Sequence, residues 1–201
     1  MLFRRDPRKV EEEIENRIRN LLMRCDERIP GADAAAYNAG GDLYAEAGLR
    51  DRALGYYGDA IDAYLKVERW DAAAGICRKV LRLSPQSVRT RCTLAWLAIG
   101  KGHLGEAQKL IRDYARAAAG AGRDNLAVAQ LRRMGDAAAL ESVRQAVAEA
   151  LLELGADRMA DHFFGLVNRS RNLPPRSTPT PEMLWSAVRH AALLGPAQLA
   201  N

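Results

Sequence analysis

The sequence is poor in aromatic residues and in cysteine. Aromatic residues make up 6% of the 201 residues, and three cysteines are present. This composition excludes a thick aromatic core, and the abundant alanine favours close packing between helices. Cys25, Cys77 and Cys92 are odd in number and lack paired metal-ligand spacing. We therefore predict reduced packing thiols in a reducing compartment.

Long apolar runs are also missing. No stretch approaches the ~20 apolar residues that a membrane-spanning helix needs. The first three residues lead directly to Arg4 and Arg5, which is not the pattern of a secretory signal. We therefore expect no membrane span and a cytoplasmic location.

Motifs that carry chemistry are absent as well. The sequence has no phosphate-binding glycine loop and no dinucleotide-binding fingerprint. His103, His162 and His190 are isolated, and no second histidine or cysteine stands at zinc-ligand spacing. We predict that the protein is not an enzyme and uses no cofactor and no metal ion.

The charge of the chain is only moderately basic. The formal net charge is +5, from 30 basic and 25 acidic residues that are largely interspersed. Interspersed charges are typical of a solvated helical surface rather than of a nucleic-acid-binding patch. Nucleic acid is therefore not the expected partner.

The strongest pattern that is present is a repeat of 34 residues. Apolar residues recur at this interval in two segments: Trp70, Ala73, Cys77 and Val80, then Leu104, Ala107, Ile111 and Tyr114. Small residues recur where two helices would touch, and larger apolar residues recur around that contact. A period of this length, built from two amphipathic helices, indicates a helical repeat array.

This pattern resembles the tetratricopeptide repeat (TPR) family. Three segments match the family pattern of small residues: 54–87, 88–121 and 141–174. The chain departs from that pattern at Glu68, which replaces a turn glycine, and at Arg91 and Arg144, which replace bulky residues. The resemblance implies an all-α array of TPR-like helical hairpins, an α-solenoid, with extra terminal helices.

The order of patterns along the chain predicts its organisation. We expect these segments: an amphipathic N-terminal helix at 1–30, TPR-like repeats at 33–121, an inserted helix at 122–140, a further hairpin at 141–172, a Pro-rich linker at 173–181 and an amphipathic C-terminal helix at 182–201. Each terminal helix either caps the array or docks on a partner. The apolar residues concerned are Ile14, Ile18, Leu21, Leu184, Trp185 and Val188.

The segment 51–66 serves two repeat units. Ala53 and Ala73 are 20 residues apart rather than 34, so this helix closes one unit and opens the next. It should therefore offer two packing faces. Gly55 and Gly58 each cost about 1 kcal/mol of helix stability relative to alanine, and we expect them to admit a neighbouring backbone.

In the TPR family, the first helix of each unit lines a concave groove that binds a peptide or a partner helix. The resemblance carries that role to Asn38, Asp42, Glu46, Asp62, Lys66, Arg89, Trp96, Ile99, Gln145 and Glu149. Trp96 is the expected anchor, because buried aromatic residues dominate interface energetics. The alternative is that Trp96 packs under the inserted helix at 124–134.

The sequence thus favours a non-catalytic scaffold, adaptor or assembly subunit that binds a protein. One alternative is a basic helical-repeat protein that binds nucleic acid. Another is a secretion-type chaperone that dimerises through its first helix. A homodimer and a place in a larger complex both stay open.

Overall fold

The computed structural model describes residues 7–26, 28–138 and 140–170. Every regular element in these ranges is an α-helix, which confirms the predicted all-α class. The predicted linker at 173–181 and C-terminal helix at 182–201 lie outside the described residues, and with them Leu184, Trp185 and Val188.

The helices belong to two compact units, one ending at Pro85 and the other beginning at Gln86. The first unit contains α1 (Pro7–Met23), α2 (Ala32–Glu46), α3 (Arg50–Lys66) and α4 (Trp70–Leu83). The second contains α5 (Val88–Gly100), α6 (Leu104–Gly120), α7 (Asp124–Ala137), α8 (Glu141–Glu153) and α9 (Asp157–Ser170). The division falls inside the range 33–121 that the sequence analysis treats as one block of repeats.

In the first unit, α3 packs against both α2 and α4, as its two predicted faces require. Ala53, Ala60 and Ala73 are fully buried at these contacts. Because an alanine side chain ends at Cβ, it lets two helix backbones approach closely. The helix α1 packs on α2.

In the second unit, α5 pairs with α6, and α8 pairs with α9. The helix α7 packs against α6 and α8. The alanines that the sequence places at equivalent helix contacts are fully buried: Ala95, Ala107, Ala148 and Ala160. The third repeat differs at one position, because Phe163 rather than Phe164 is the fully buried aromatic residue.

Five helix-to-helix turns share one backbone geometry. A residue with positive φ ends the preceding helix in each: Gly48 (76°), Glu68 (58°), Gly102 (69°), Gly122 (64°) and Gly155 (70°). The next residue donates its N–H back to a carbonyl five positions earlier, as from His103 to Ala98 at 3.0 Å. This is the Schellman motif, which favours glycine because a Cβ is strained at positive φ. The missing turn glycine at Glu68 therefore leaves the turn unchanged and strains its backbone.

We predict that Glu68→Gly stabilises the protein by about 0.5–1 kcal/mol, since it removes left-handed strain but adds freedom to the unfolded chain. Urea or thermal unfolding followed by circular dichroism would measure the change. Gly102→Ala is the matched reverse substitution, because an added Cβ there meets no atom within 4 Å. It should lower stability by a similar amount. A loss of stability in Glu68→Gly would contradict the assigned strain.

Close helix approach depends on three other glycines. A Cβ at Gly40 would lie 2.9 Å from Ile18 Cδ1 of α1. A Cβ at Gly41 would collide with the Tyr57 ring of α3, and one at Gly135 would collide with Phe163. The expectation for Gly55 is wrong, because a Cβ at that position would have no neighbour within 4 Å.

We predict that Gly41→Ala lowers the free energy of unfolding by about 1–3 kcal/mol, because the buried Tyr57 ring must move. Gly75→Ala is the matched control, since an added Cβ there meets no atom within 4 Å. This control should stabilise α4 by about 0.5–1 kcal/mol through helix propensity. Equal effects of the two substitutions in urea unfolding would exclude the close approach of α3 to Gly41.

Candidate functional site

A cleft of about 470 Å³ lies between α1 and α2 in the first unit. It is lined by Arg17, Asn20, Leu21 and Arg24 of α1 and by Ala39, Asp42, Leu43 and Glu46 of α2. Each helix contributes residues at i, i+3, i+4 and i+7, which is one continuous helical face. We call this feature the α1–α2 cleft.

The α1–α2 cleft is positioned by the packing of α1. Ile14 and Ile18 are buried, and Ile18 lies against the space that Gly40 leaves on α2. They are therefore unavailable to a partner, which corrects the docking assignment of these two residues and favours the cap interpretation of α1. Leu21, by contrast, is 37% exposed and faces the cleft.

The two walls of the α1–α2 cleft carry opposite charge. Arg17 and Arg24 are exposed on the α1 wall, while Asp42 and Glu46 stand on the α2 wall. Leu21 and Leu43 supply apolar surface between them. The cleft is thus amphipathic, with an apolar strip between a positive and a negative edge.

Asp42 also belongs to a polar network that joins three helices. Tyr57 Oη of α3 donates to Asp42 Oδ1 at 2.6 Å. Lys79 Nζ of α4 donates to both carboxylate oxygens, at 2.6 and 2.7 Å, and to Asn38 Oδ1 at 2.9 Å. The ammonium group also lies 5.5 Å from the centre of the Tyr57 ring, within cation–π range. The network fixes the Asp42 side chain at the edge of the cleft.

This network sets the protonation of its members. Burial raises the pKa of Asp42, but the hydrogen bonds from Lys79 and Tyr57 outweigh it and leave that pKa below its ordinary value. Burial, and then the hydrogen bond to Asp42, raise the pKa of Tyr57 well above its ordinary value. At neutral pH the pair is therefore an ionised carboxylate and a phenol that donates to it.

The structure brings only some of the predicted groove residues together in the first unit. Asp42 and Glu46 line the cleft, and Asn38 joins the network beside it. Asp62 is half-buried and Lys66 is exposed, and both lie on α3, outside the residues that line the cleft.

In the second unit, Trp96 and Ile99 are buried, with Trp96 only 2% exposed. Trp96 Nε1 donates to Gln130 Oε1 of α7 at 3.3 Å. An aromatic residue enclosed in this way cannot anchor a partner, so the alternative prediction, packing against α7, describes Trp96. Both residues are corrected from groove positions to core positions. Arg89 is half-buried near the start of α5.

Gln145 and Glu149 lie in a polar ladder between α6 and α8. Arg112 Nη1 is 3.6 Å from Glu149 Oε2, and Gln145 Nε2 donates to Glu149 Oε1 at 3.1 Å. The ladder continues with Arg116 and Glu153, whose charged atoms are 3.9 Å apart. These side chains are already engaged within the second unit, which differs from the predicted role on an open groove.

Sequence reasoning missed Arg17, Asn20 and Arg24 as lining residues. The signal was present in the adjacent pair Leu21 and Leu22, which was read as one stripe. Neighbouring residues on a helix are about 100° apart and cannot both face α2. Leu22 turns inward and is half-buried, so Leu21 is left on the outer face with its polar neighbours.

The cysteines behave as packing residues. Cys77 and Cys92 are buried free thiols, and burial raises the pKa of Cys92 to about 12. Cys25 is half-buried, and its thiol donates to the carbonyls of Leu21 and Ala32, each at 3.3 Å. Among residues 7–26, 28–138 and 140–170, no group of three or more potential metal ligands converges. No helix in that part of the chain is long and apolar enough to span a membrane.

Comparison with known proteins adds little. No protein-family model and no curated protein matches the sequence. The crystal structure of a tetratricopeptide repeat protein from Parabacteroides merdae ATCC 43184 aligns with 92% of this chain and 78% of that chain. The identity is 15% and the TM-score is 0.25. At that TM-score the two backbones do not share one superposition, so TPR family membership stays a prediction.

We predict that Lys79→Met destabilises the first unit in a pH-dependent way. The pKa of Asp42 in the folded protein lies below its model value of 3.8. The stability that this ionised group contributes is therefore fully present above pH 3.8 and is lost as the pH falls through the lower folded pKa. The gap in thermal midpoint between wild type and Lys79→Met should narrow between pH 7 and about pH 3.

Lys66→Met is the matched control, because Lys66 is exposed on α3 and outside the network. It should show a small, pH-independent difference from wild type. A gap for Lys79→Met that stays constant down to pH 3 would exclude Asp42 as the group that responds to Lys79.

Proposed function

We propose that this protein is a non-catalytic interaction scaffold, an adaptor or assembly subunit, that binds a protein segment in the α1–α2 cleft. The observation that carries the proposal is the open cleft itself, in which exposed Leu21 lies between two oppositely charged helical faces. A helix-lined groove with an apolar strip is a recurring mode of peptide recognition. The proposed location is the cytoplasm, as the sequence predicts.

The lining supports a macromolecular partner over a small molecule. Small-molecule sites enclose most of the ligand surface and are lined predominantly by apolar and aromatic side chains. Here the lining is mainly polar and charged: Arg17, Asn20, Arg24, Asp42 and Glu46. Such a surface holds little of a small ligand but matches the mixed composition of a protein interface.

We predict that Leu21→Asp lowers the recovery of a protein partner about tenfold, because a central apolar contact is replaced by a charge. The tagged full-length protein would be captured from its native lysate, with and without nuclease, and bound proteins would be quantified by mass spectrometry. Leu152→Asp is the matched control, since Leu152 of α8 is 44% exposed and distant from the cleft lining.

A partner that Leu152→Asp retains and Leu21→Asp loses, with or without nuclease, supports the proposal. Loss of all partners after nuclease, with a steep salt dependence, would instead favour the nucleic-acid alternative. No partner in any sample would contradict the scaffold function.

A further inference from the structure

We propose that the α1–α2 cleft selects an amphipathic helix with an apolar stripe, one acidic edge and one basic edge. This inference rests on the proposed function and specifies the chemistry of the partner. The acidic edge would lie along the α1 wall, and the basic edge along the α2 wall.

The spacing of the lining residues favours a helix as the occupant. Each wall runs from i to i+7, from Arg17 to Arg24 on α1 and from Ala39 to Glu46 on α2. Seven residues of helix rise about 10 Å, or two turns. A third helix can seat its own i, i+3, i+4 and i+7 side chains along a groove of that length, as ridges pack into grooves.

Charge complementarity defines the edges of that helix. A partner with two acidic edges would place like charge against Asp42 and Glu46. A partner with two basic edges would meet Arg17 and Arg24. Like charges placed together oppose association more than rim ion pairs support it. Only a helix with edges of opposite sign matches both walls.

The two acids on the α2 wall are not equivalent. Lys79 already pairs with Asp42 at 2.6 Å, which reduces the charge that Asp42 offers to a partner. Glu46 lies at the end of the same face and is exposed. Glu46 is therefore the residue on this wall that determines the preference for a basic edge.

The same charges fix the direction of the bound helix. Turning a helix end to end, with its apolar stripe still in the cleft, exchanges its left and right edges. A peptide with one acidic and one basic edge therefore matches both walls in only one direction. Exchanging its two edges reverses that direction.

Three synthetic helical peptides of about 15 residues would test these statements. They share one leucine stripe and differ in their edges, which are mixed, all acidic or all basic. Fluorescence anisotropy with the full-length protein would measure their affinities. The mixed peptide should bind roughly tenfold more tightly than the other two, from two rim pairs gained and like-charge contacts avoided.

Exposed residues of the cleft allow this preference to be moved. Glu46→Lys should shift it to the all-acidic peptide, and the double substitution Arg17→Glu with Arg24→Glu should shift it to the all-basic peptide. Arg19→Glu is the matched control, because Arg19 is exposed on α1 but outside the cleft lining. It should leave the preference unchanged.

Direction would be read from a spin label at the peptide N-terminus. The label should broaden the methyl resonances of either Met23 or Ile18, which lie near opposite ends of the α1 wall. The peptide with exchanged edges should broaden the other one. Broadening of both methyl groups to the same extent by each peptide would contradict a fixed direction.

Several results would overturn the inference. Equal binding of all three peptides would do so, as would an Arg19→Glu effect as large as that of the cleft substitutions. A dimer that Glu46→Lys dissociates would make a second copy of this chain the occupant. Peptide binding that needs deletion of 182–201 would make that segment the occupant. If capture finds a partner that depends on Leu21 while the peptides show no preference, only this inference fails and the scaffold function stands.

Discussion

The close approach of three helices at two adjacent glycines is the constraint on which the first unit depends. Gly40 leaves space for Ile18 of α1, and Gly41 leaves space for the Tyr57 ring of α3. Because α1 can approach α2 only through this space, the same glycines set the depth of the α1–α2 cleft. Tyr57, once seated, also places its hydroxyl on Asp42. Steric freedom at two positions therefore determines both the packing and the charge pattern of the candidate site.

Asp42 shows how structural and binding roles share one side chain. Its carboxylate accepts hydrogen bonds from α3 and α4, yet the side chain remains 40% exposed at the cleft. Such an arrangement holds a charged group in one orientation before a partner arrives, so less entropy is lost on binding. Glu46 has no printed counterpart to that network and supplies the more adaptable charge at the same wall.

The repeat of 34 residues predicted the helices and their small contact residues well, because those positions depend on local periodicity. Ala60, Ala95 and Ala148 are all fully buried, as that pattern requires. The site was less predictable. Trp96 has the same sequence signal whether it faces a partner or Gln130, and only the position of α7 decides between them. The cleft needed the rotation of α1 about its axis, which the adjacent pair Leu21 and Leu22 leaves ambiguous.

The order of helix packing has a consequence for the rate of folding. In the first unit, the main contacts join helices that follow one another directly: α1 with α2, α2 with α3 and α3 with α4. In the second unit, α6 also packs against α8, across the intervening α7. Contacts between chain neighbours need less loop closure, and proteins dominated by them fold fastest. The first unit, which contains the candidate cleft, should therefore fold ahead of the second and be ready to bind while the rest of the chain is still ordering.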